Sequence, residues 1–107
     1  MLACYYMYRV VCTPMAFEWD ERKNRRNLPK HRVSFETVAL IFDDPRAVSV
    51  LDRVEEGEER WDTLGIVGRV LLLVVHTYRE VGTEEHIRII SARRATPRER
   101  SLYEEIH

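Results

Sequence analysis

Hydrophobic and polar positions follow two different periods along this chain, and the change falls near residue 45. In the first half, Phe17-Glu18-Trp19 suits a short strand. Asp20 then precedes the polar run ERKNRRN, and its carboxylate can accept the free N–H groups of a first helical turn. A helix is predicted there, ended or kinked by Pro29. Ser34 opens SFETVALIF, where Phe35, Val38, Ala39, Ile41 and Phe42 recur at helical spacing and predict a core helix that Asp43-Asp44-Pro45 closes. Beyond residue 45 the pattern alternates. RAVSVLDRV puts Val48, Val50 and Val54 on one strand face, and Gly57 supplies a turn within EEGEE. RWDTLGIV and RVLLLVVHTYR read as a hairpin joined at Gly68, and Val70 to Val75, apolar on both faces, is the predicted central strand. HIRIISA is the last strand. Thr96-Pro97-Arg98-Glu99 is a capping box with proline at the first helical position, and Leu102, Tyr103 and Ile106 form the stripe of the helix it opens. The expected fold is α+β: a short N-terminal strand, two helices, an antiparallel sheet of about four strands and a C-terminal helix, with the helices on one face.

A length of 107 residues limits this to one domain, placed at residues 16–107 behind an extension of residues 1–15. The extension has no charge ahead of its apolar part, which argues against a secretory signal. It reads as an edge strand, as a loosely packed arm, or as sequence upstream of an alternative start at Met15. Cys4 and Cys12 are too few for a disulfide framework or a four-cysteine zinc site and read as reduced thiols. No apolar run is long enough to span a bilayer. A cytoplasmic chain with no membrane role is expected.

A formal net charge of -1 conceals strong segregation. Residues 21–32 carry six Lys/Arg against one acid, residues 36–62 nine acids against three arginines, and residues 86–100 five arginines against Glu99. Such polarity can attract an anionic ligand at one place and a basic partner at another. Familiar catalytic signatures are absent, and four histidines without ligand-like spacing predict neither metal nor cofactor. Alternation is more informative. If every apolar strand face packs on helices, Arg60, His76, Tyr78 and Arg88 emerge together on the other. The same residues also read as the wetted face of an antiparallel sheet. Together they would supply metal-free RNA cleavage: arginines for the phosphate charge, His76 as acid or base, and Tyr78 or Tyr103 to stack on a base. Glu58 is a further candidate base. Of Arg93 and Arg94, at the exit of the last strand, one can reach the same ligand and the other reads as plain surface.

Several ordered segments carry a resemblance: FEWDERKNRRNLPKHRVSFETVALIFDDP, GEERW with its following LG, the strand ending in HTYR, and IRIISARRATPRERSLYEE. Together they resemble the BrnT toxins of bacterial type II toxin–antitoxin systems over roughly residues 17–105. The resemblance implies a RelE-like fold and a ribonuclease that inhibits translation. It also implies neutralisation by a BrnA-like ribbon-helix-helix antitoxin, through which alone operator DNA is contacted. The chain departs from the family pattern at Pro29, at Arg32, where a glycine is usual, and at Thr37, where a second acid often follows SFE. On this reading Arg60, His76, Arg88 and Arg93 carry catalysis and phosphate binding, with Tyr78, Arg94 and Tyr103 contacting RNA. The alternative is a non-catalytic co-repressor subunit that holds a ribbon-helix-helix protein.

Overall fold

Short hairpins organise the second half of the chain. The computed structural model describes residues 2–5 and 13–106. In order these form β1 (Leu2–Tyr5), β2 (Thr13–Trp19), α1 (Glu21–His31), α2 (Phe35–Val38), a 3-10 helix (Ala39–Asp43), β3 (Val48–Glu55), β4 (Glu58–Val67), β5 (Val70–Val81), β6 (Glu84–Arg94) and α3 (Pro97–Ile106). Glu56 and Gly57, between β3 and β4, have φ of 52° and 78°, the doubly left-handed geometry of a type I′ turn whose twist matches its strands. Equally short turns complete an antiparallel meander from β3 to β6.

The sheet is wider than the four antiparallel strands predicted. β2 lies parallel to β6, with Phe17 opposite Ile87, giving a mixed sheet of five strands. β1 pairs antiparallel with β2 and extends it, in the order β1-β2-β6-β5-β4-β3. β2 begins at Thr13 rather than Phe17, so the extension contributes to the sheet. Its partner is remote in sequence, and no local pattern announces it. Cys12 lies outside the described residues, as does the side chain of Cys4.

The predicted one-sided helix layer is also corrected. On one face of the sheet Leu72, Val74, Ile87 and Ile89 pack with Phe35, Val38, Ile41 and Phe42. On the other, Leu64, Leu71 and Leu73 pack against Tyr103 of α3. Val50 and Val54 are 51% and 59% exposed rather than inward, because β3 is an edge strand whose register shifts between Leu51 and Arg53. Leu102 is likewise exposed, leaving Tyr103 to anchor α3; the Ile106 side chain lies outside what is described.

α1 lacks an apolar stripe and is held by asparagines instead. Arg22 N–H donates to the Asp20 cap at 2.9 Å. Buried Asn24 accepts from Phe35 N–H at 2.8 Å and donates to Glu36 at 2.7 Å. Buried Asn27 donates to the Val33 carbonyl at 2.8 Å and accepts from Ala92 N–H at 3.4 Å. α1 does not end at Pro29 but continues to His31. Proline removes one bond, to the carbonyl of exposed Arg25, which solvent can satisfy. The stop comes at Arg32, left-handed at φ 59° and ψ 31°, whose N–H donates to the Leu28 carbonyl. That conformation favours glycine, so an arginine here is held in a backbone geometry that L side chains rarely adopt. At α2, Ser34 Oγ accepts from Thr37 N–H at 3.1 Å and donates to the Thr37 hydroxyl at 2.9 Å, so a hydroxyl replaces the returning carboxylate of a full capping box.

Two close fits yield predictions. A Cβ at Gly65 would lie 2.7 Å from Ile41 Cβ and 3.1 Å from its carbonyl oxygen, so β4 meets the 3-10 helix only because residue 65 has no side chain. Gly65→Ala should cost about 1–3 kcal/mol in urea unfolding. His76 is 3% exposed and stacks edge-on to Phe42 at 5.0 Å. Its Nδ1–H donates to the Thr77 carbonyl at 3.0 Å, so Nε2 accepts from the Thr63 hydroxyl at 2.6 Å and the ring is neutral. Burial pushes its pKa down to about 4, although the Thr77 bond opposes this. A folded value below the unfolded 6.5 means stability complete above pH 6.5 and lost as pH falls toward 4. The loss is about 3 kcal/mol. His76→Gln should flatten the stability profile between pH 6.5 and 4, and an unchanged slope there would refute this origin.

Candidate active site

Strand register decides which polar side chains meet. Arg60 of β4 stands opposite Thr77 of β5, which stands opposite Arg88 of β6. Arg53 of β3 flanks Arg60 at one end, and Glu18 of β2 flanks Arg88 at the other. One row therefore crosses five strands, with Arg60 and Arg88 two strand spacings, roughly 10 Å, apart. The neighbouring row runs Val50, Asp62, Val75, Ser91. Both rows lie on the α3 side, and the row arginines reach the surface: the Arg88 side chain is 43% exposed and that of Arg60 24%.

Arg93 joins this face through a bulge. Val75 pairs with Ser91 but His76 with Ile89, leaving Ile90 as an extra residue on β6. Arg88 and Arg93, an odd number of residues apart, would face opposite sides of a regular strand; the bulge brings them to one.

Carboxylates already engage these guanidiniums. Arg88 Nη2 donates to Glu58 Oε1 at 2.6 Å, and Arg60 Nε lies 3.0 Å from Glu55 Oε2, which Arg53 also approaches. Arg93 is held differently, with both Nη atoms donating to the two oxygens of Glu99 at 2.8 and 2.9 Å. Glu99 also closes the α3 capping box, accepting from Thr96 N–H while its own N–H donates to Thr96 Oγ1. The bond from Arg93 is the main reason the Glu99 carboxyl drops to about 2. Arg93 thus clamps β6 to α3.

Asp62 was not singled out from sequence as a candidate, although alternation already put it on the face of Arg60. Its Oδ1 is buried without a hydrogen-bond partner among the described residues. Burial, then the Asp52 carboxylate, push its pKa up, while the guanidinium of Arg93 pulls it down. A carboxyl with raised affinity for protons among arginines is equipped for proton transfer.

The predicted convergence of Arg60, His76, Tyr78 and Arg88 is corrected. The structure keeps Arg60 and Arg88 together, with Glu58 and Arg93, but places His76 and Tyr78 on the opposite face beneath the 3-10 helix layer. β5 is apolar on both sides, so its polar residues on the inner face are enclosed rather than presented. Both His76 nitrogens are engaged, and Tyr78 donates to Glu85 at 2.6 Å. Arg94 lines a hollow with Leu28 and Val33, also on the α1 side. Tyr103 is on the arginine side, but its hydroxyl donates to Asp44 at 2.8 Å, and burial and that bond push its pKa up to about 12. Among the described residues no group of three His, Cys, Asp or Glu side chains is placed to hold a metal ion.

The clamp is testable. Glu99→Gln should cost about 1 kcal/mol in thermal unfolding. It should also remove the acid-induced loss of stability between pH 4.5 and 2, since a lowered carboxyl pKa stabilises above its unfolded value and ceases to as pH falls through the folded one.

No curated protein matches the chain. Residues 19–99 match the family model described as ribonuclease toxin, BrnT, of type II toxin-antitoxin system. That match covers most of the chain and contains Arg60, Asp62, Arg88, Arg93 and Glu99. The chain belongs to the BrnT family of ribonuclease toxins.

Proposed function

We propose that RNA is held across the Arg60–Thr77–Arg88 row and cleaved there without metal, by a toxin of RelE-like architecture that acts in the cytoplasm and inhibits translation. The observation that carries this is the pairing of two guanidiniums in one row with Asp62, a half-buried carboxyl of raised proton affinity, in the next.

In the proposed reaction the ribose 2′-oxygen attacks the adjacent phosphorus as its proton passes to a carboxylate. The P–O5′ bond breaks, and the leaving oxygen takes a proton from solvent. Products are a 2′,3′-cyclic phosphate and a 5′-hydroxyl. Arg60 and Arg88 hold the phosphoryl oxygens as negative charge grows on them. Glu55 and Glu58 must first release these arginines, at small cost because exposed pairs are worth little. Asp62 is the preferred proton acceptor and Glu58 the second. Arg93 contributes charge from its clamped position. His76, Tyr78, Arg94 and Tyr103 have no direct part in this reading. Residues 1–15 are read as an extension of the catalytic domain with no part in the chemistry, although residues 2–5 and 13–15 join its sheet. Neutralisation by a BrnA-like ribbon-helix-helix antitoxin, with operator DNA contacted only through it, belongs to the same proposal.

Purified chain should cleave single-stranded RNA in EDTA and leave 2′,3′-cyclic ends. Arg60→Ala and Arg88→Ala should each lower kcat on the order of a hundredfold without altering the circular dichroism spectrum. Asp62→Asn should lower kcat and abolish the acidic limb of the pH–rate profile. Activity lost on chelation would overturn the metal-free step, and full activity in both arginine variants would remove the row from the site. A folded chain that cleaves no RNA, yet binds its antitoxin, would establish the co-repressor alternative.

A further inference from the structure

On the face opposite the arginine row, the sheet and the segment of residues 42–47 enclose a cavity of about 240 Å³. Three aromatic residues, Phe42, Trp61 and Tyr78, line it together with the carboxylates of Asp44 and Glu85, and no lysine or arginine is among its described lining residues. Asp44 is committed elsewhere: Oδ1 accepts from Arg46 N–H, and Oδ2 from Ile66 N–H and the Tyr103 hydroxyl. Glu85 is not. Its Oε1 accepts from Tyr78 at 2.6 Å, but its Oε2 is buried without a hydrogen-bond partner among the described residues. Glu80 approaches the same tyrosine hydroxyl at 3.3 Å, so two carboxylates share one proton donor.

These features select a ligand by charge. A buried carboxylate oxygen without a donor carries an unrecovered desolvation cost, which an incoming N–H group removes. Aromatic faces attract cations and disfavour anions. His76, also in the wall, is neutral and supplies no opposing charge. The volume falls below the range of roughly 300–1,000 Å³ that holds drug-sized molecules, which limits the occupant to one small group. We infer that this cavity binds an alkylguanidinium or alkylammonium group, its charged head on Glu85 and its stem against Met15, Phe42 and Trp61. The site is independent of the ribonuclease reading and lies on the other side of the sheet from it.

The test follows amide and indole resonances of the full ¹⁵N-labelled chain during titration with butylguanidinium and with its neutral analogue butylurea. Butylguanidinium should give saturable shifts centred on Trp61 and Tyr78. Butylurea should bind at least tenfold more weakly, and Glu85→Gln should weaken butylguanidinium by a similar factor. A blocked Gly-Gly-Arg-Gly-Gly peptide separates the two sources of such a cation. Binding at least as tight as the fragment supports a basic side chain offered by a protein partner, whereas binding of the fragment alone supports a free small molecule. Equal affinity for butylurea, an unaffected Glu85→Gln chain, or no saturable shift with either probe overturns the inference; the comparison with butylurea needs no variant.

Discussion

A strand buried on both faces has to be covered twice, and β5 is such a strand: Leu72 and Val74 are 2% and 0% exposed on one side, Leu71 and Leu73 2% and 6% on the other. Most of the helical chain goes to the first side, where α2 and the 3-10 helix supply Phe35, Val38, Ile41 and Phe42. Little remains for the second. α3, anchored through Tyr103 and the Arg93–Glu99 clamp, covers the end nearest Leu64, Leu71 and Leu73 and leaves the arginine row at the surface. The place where a polyanion can lie is thus the part of the sheet that the helices do not reach.

Helix caps and the two-residue turn are legible in the sequence because their cause is local, whereas Pro29, an equally local signal, does not stop α1. Asp20, Ser34 and Thr96 cap the helices that follow them, and the Glu56-Gly57 turn forms because only two residues join its strands. Readings failed where the cause lay across the fold. The parallel pairing of β2 with β6 depends on a partner far along the chain, and helices on both faces follow from which side α3 crosses. The candidate site divides on the same line. Alternation gave the relative faces of Arg60, Asp62, His76 and Tyr78 within each strand, but not which face was open. Nor does HIRIISARR reveal that Ile90 is a bulge, the one residue that turns Arg93 to the same face as Arg88. Asp62 was overlooked because its raised proton affinity arises from enclosure and from Asp52, which is brought near by the β3–β4 pairing.

Charge segregation along the chain becomes a pairing scheme in space. Of the acidic residues around the β3–β4 turn, Glu55 and Glu58 fold back on Arg53, Arg60 and Arg88. On the proposed reading, these carboxylates occupy the positions of phosphates and keep a near-neutral chain from binding polyanions strongly at every encounter, because each phosphate gained displaces an existing partner. Arg93 is paired more firmly still, by two bonds to Glu99, which also closes the cap of α3.

Among the described residues β3 ends the sheet with an unpaired edge and with Val50, Leu51 and Val54 turned toward solvent, a combination that invites strand addition by another copy. The register shift at its centre works against this, since Asp52 is the extra residue and a charged pair, Asp52 and Arg53, occupies the kink. An incoming strand would lose its hydrogen-bond ladder there after a few residues and would bring two like kinks into opposition. The irregularity in β3 therefore serves as protection against self-association, allowing an apolar edge to remain exposed without nucleating aggregates.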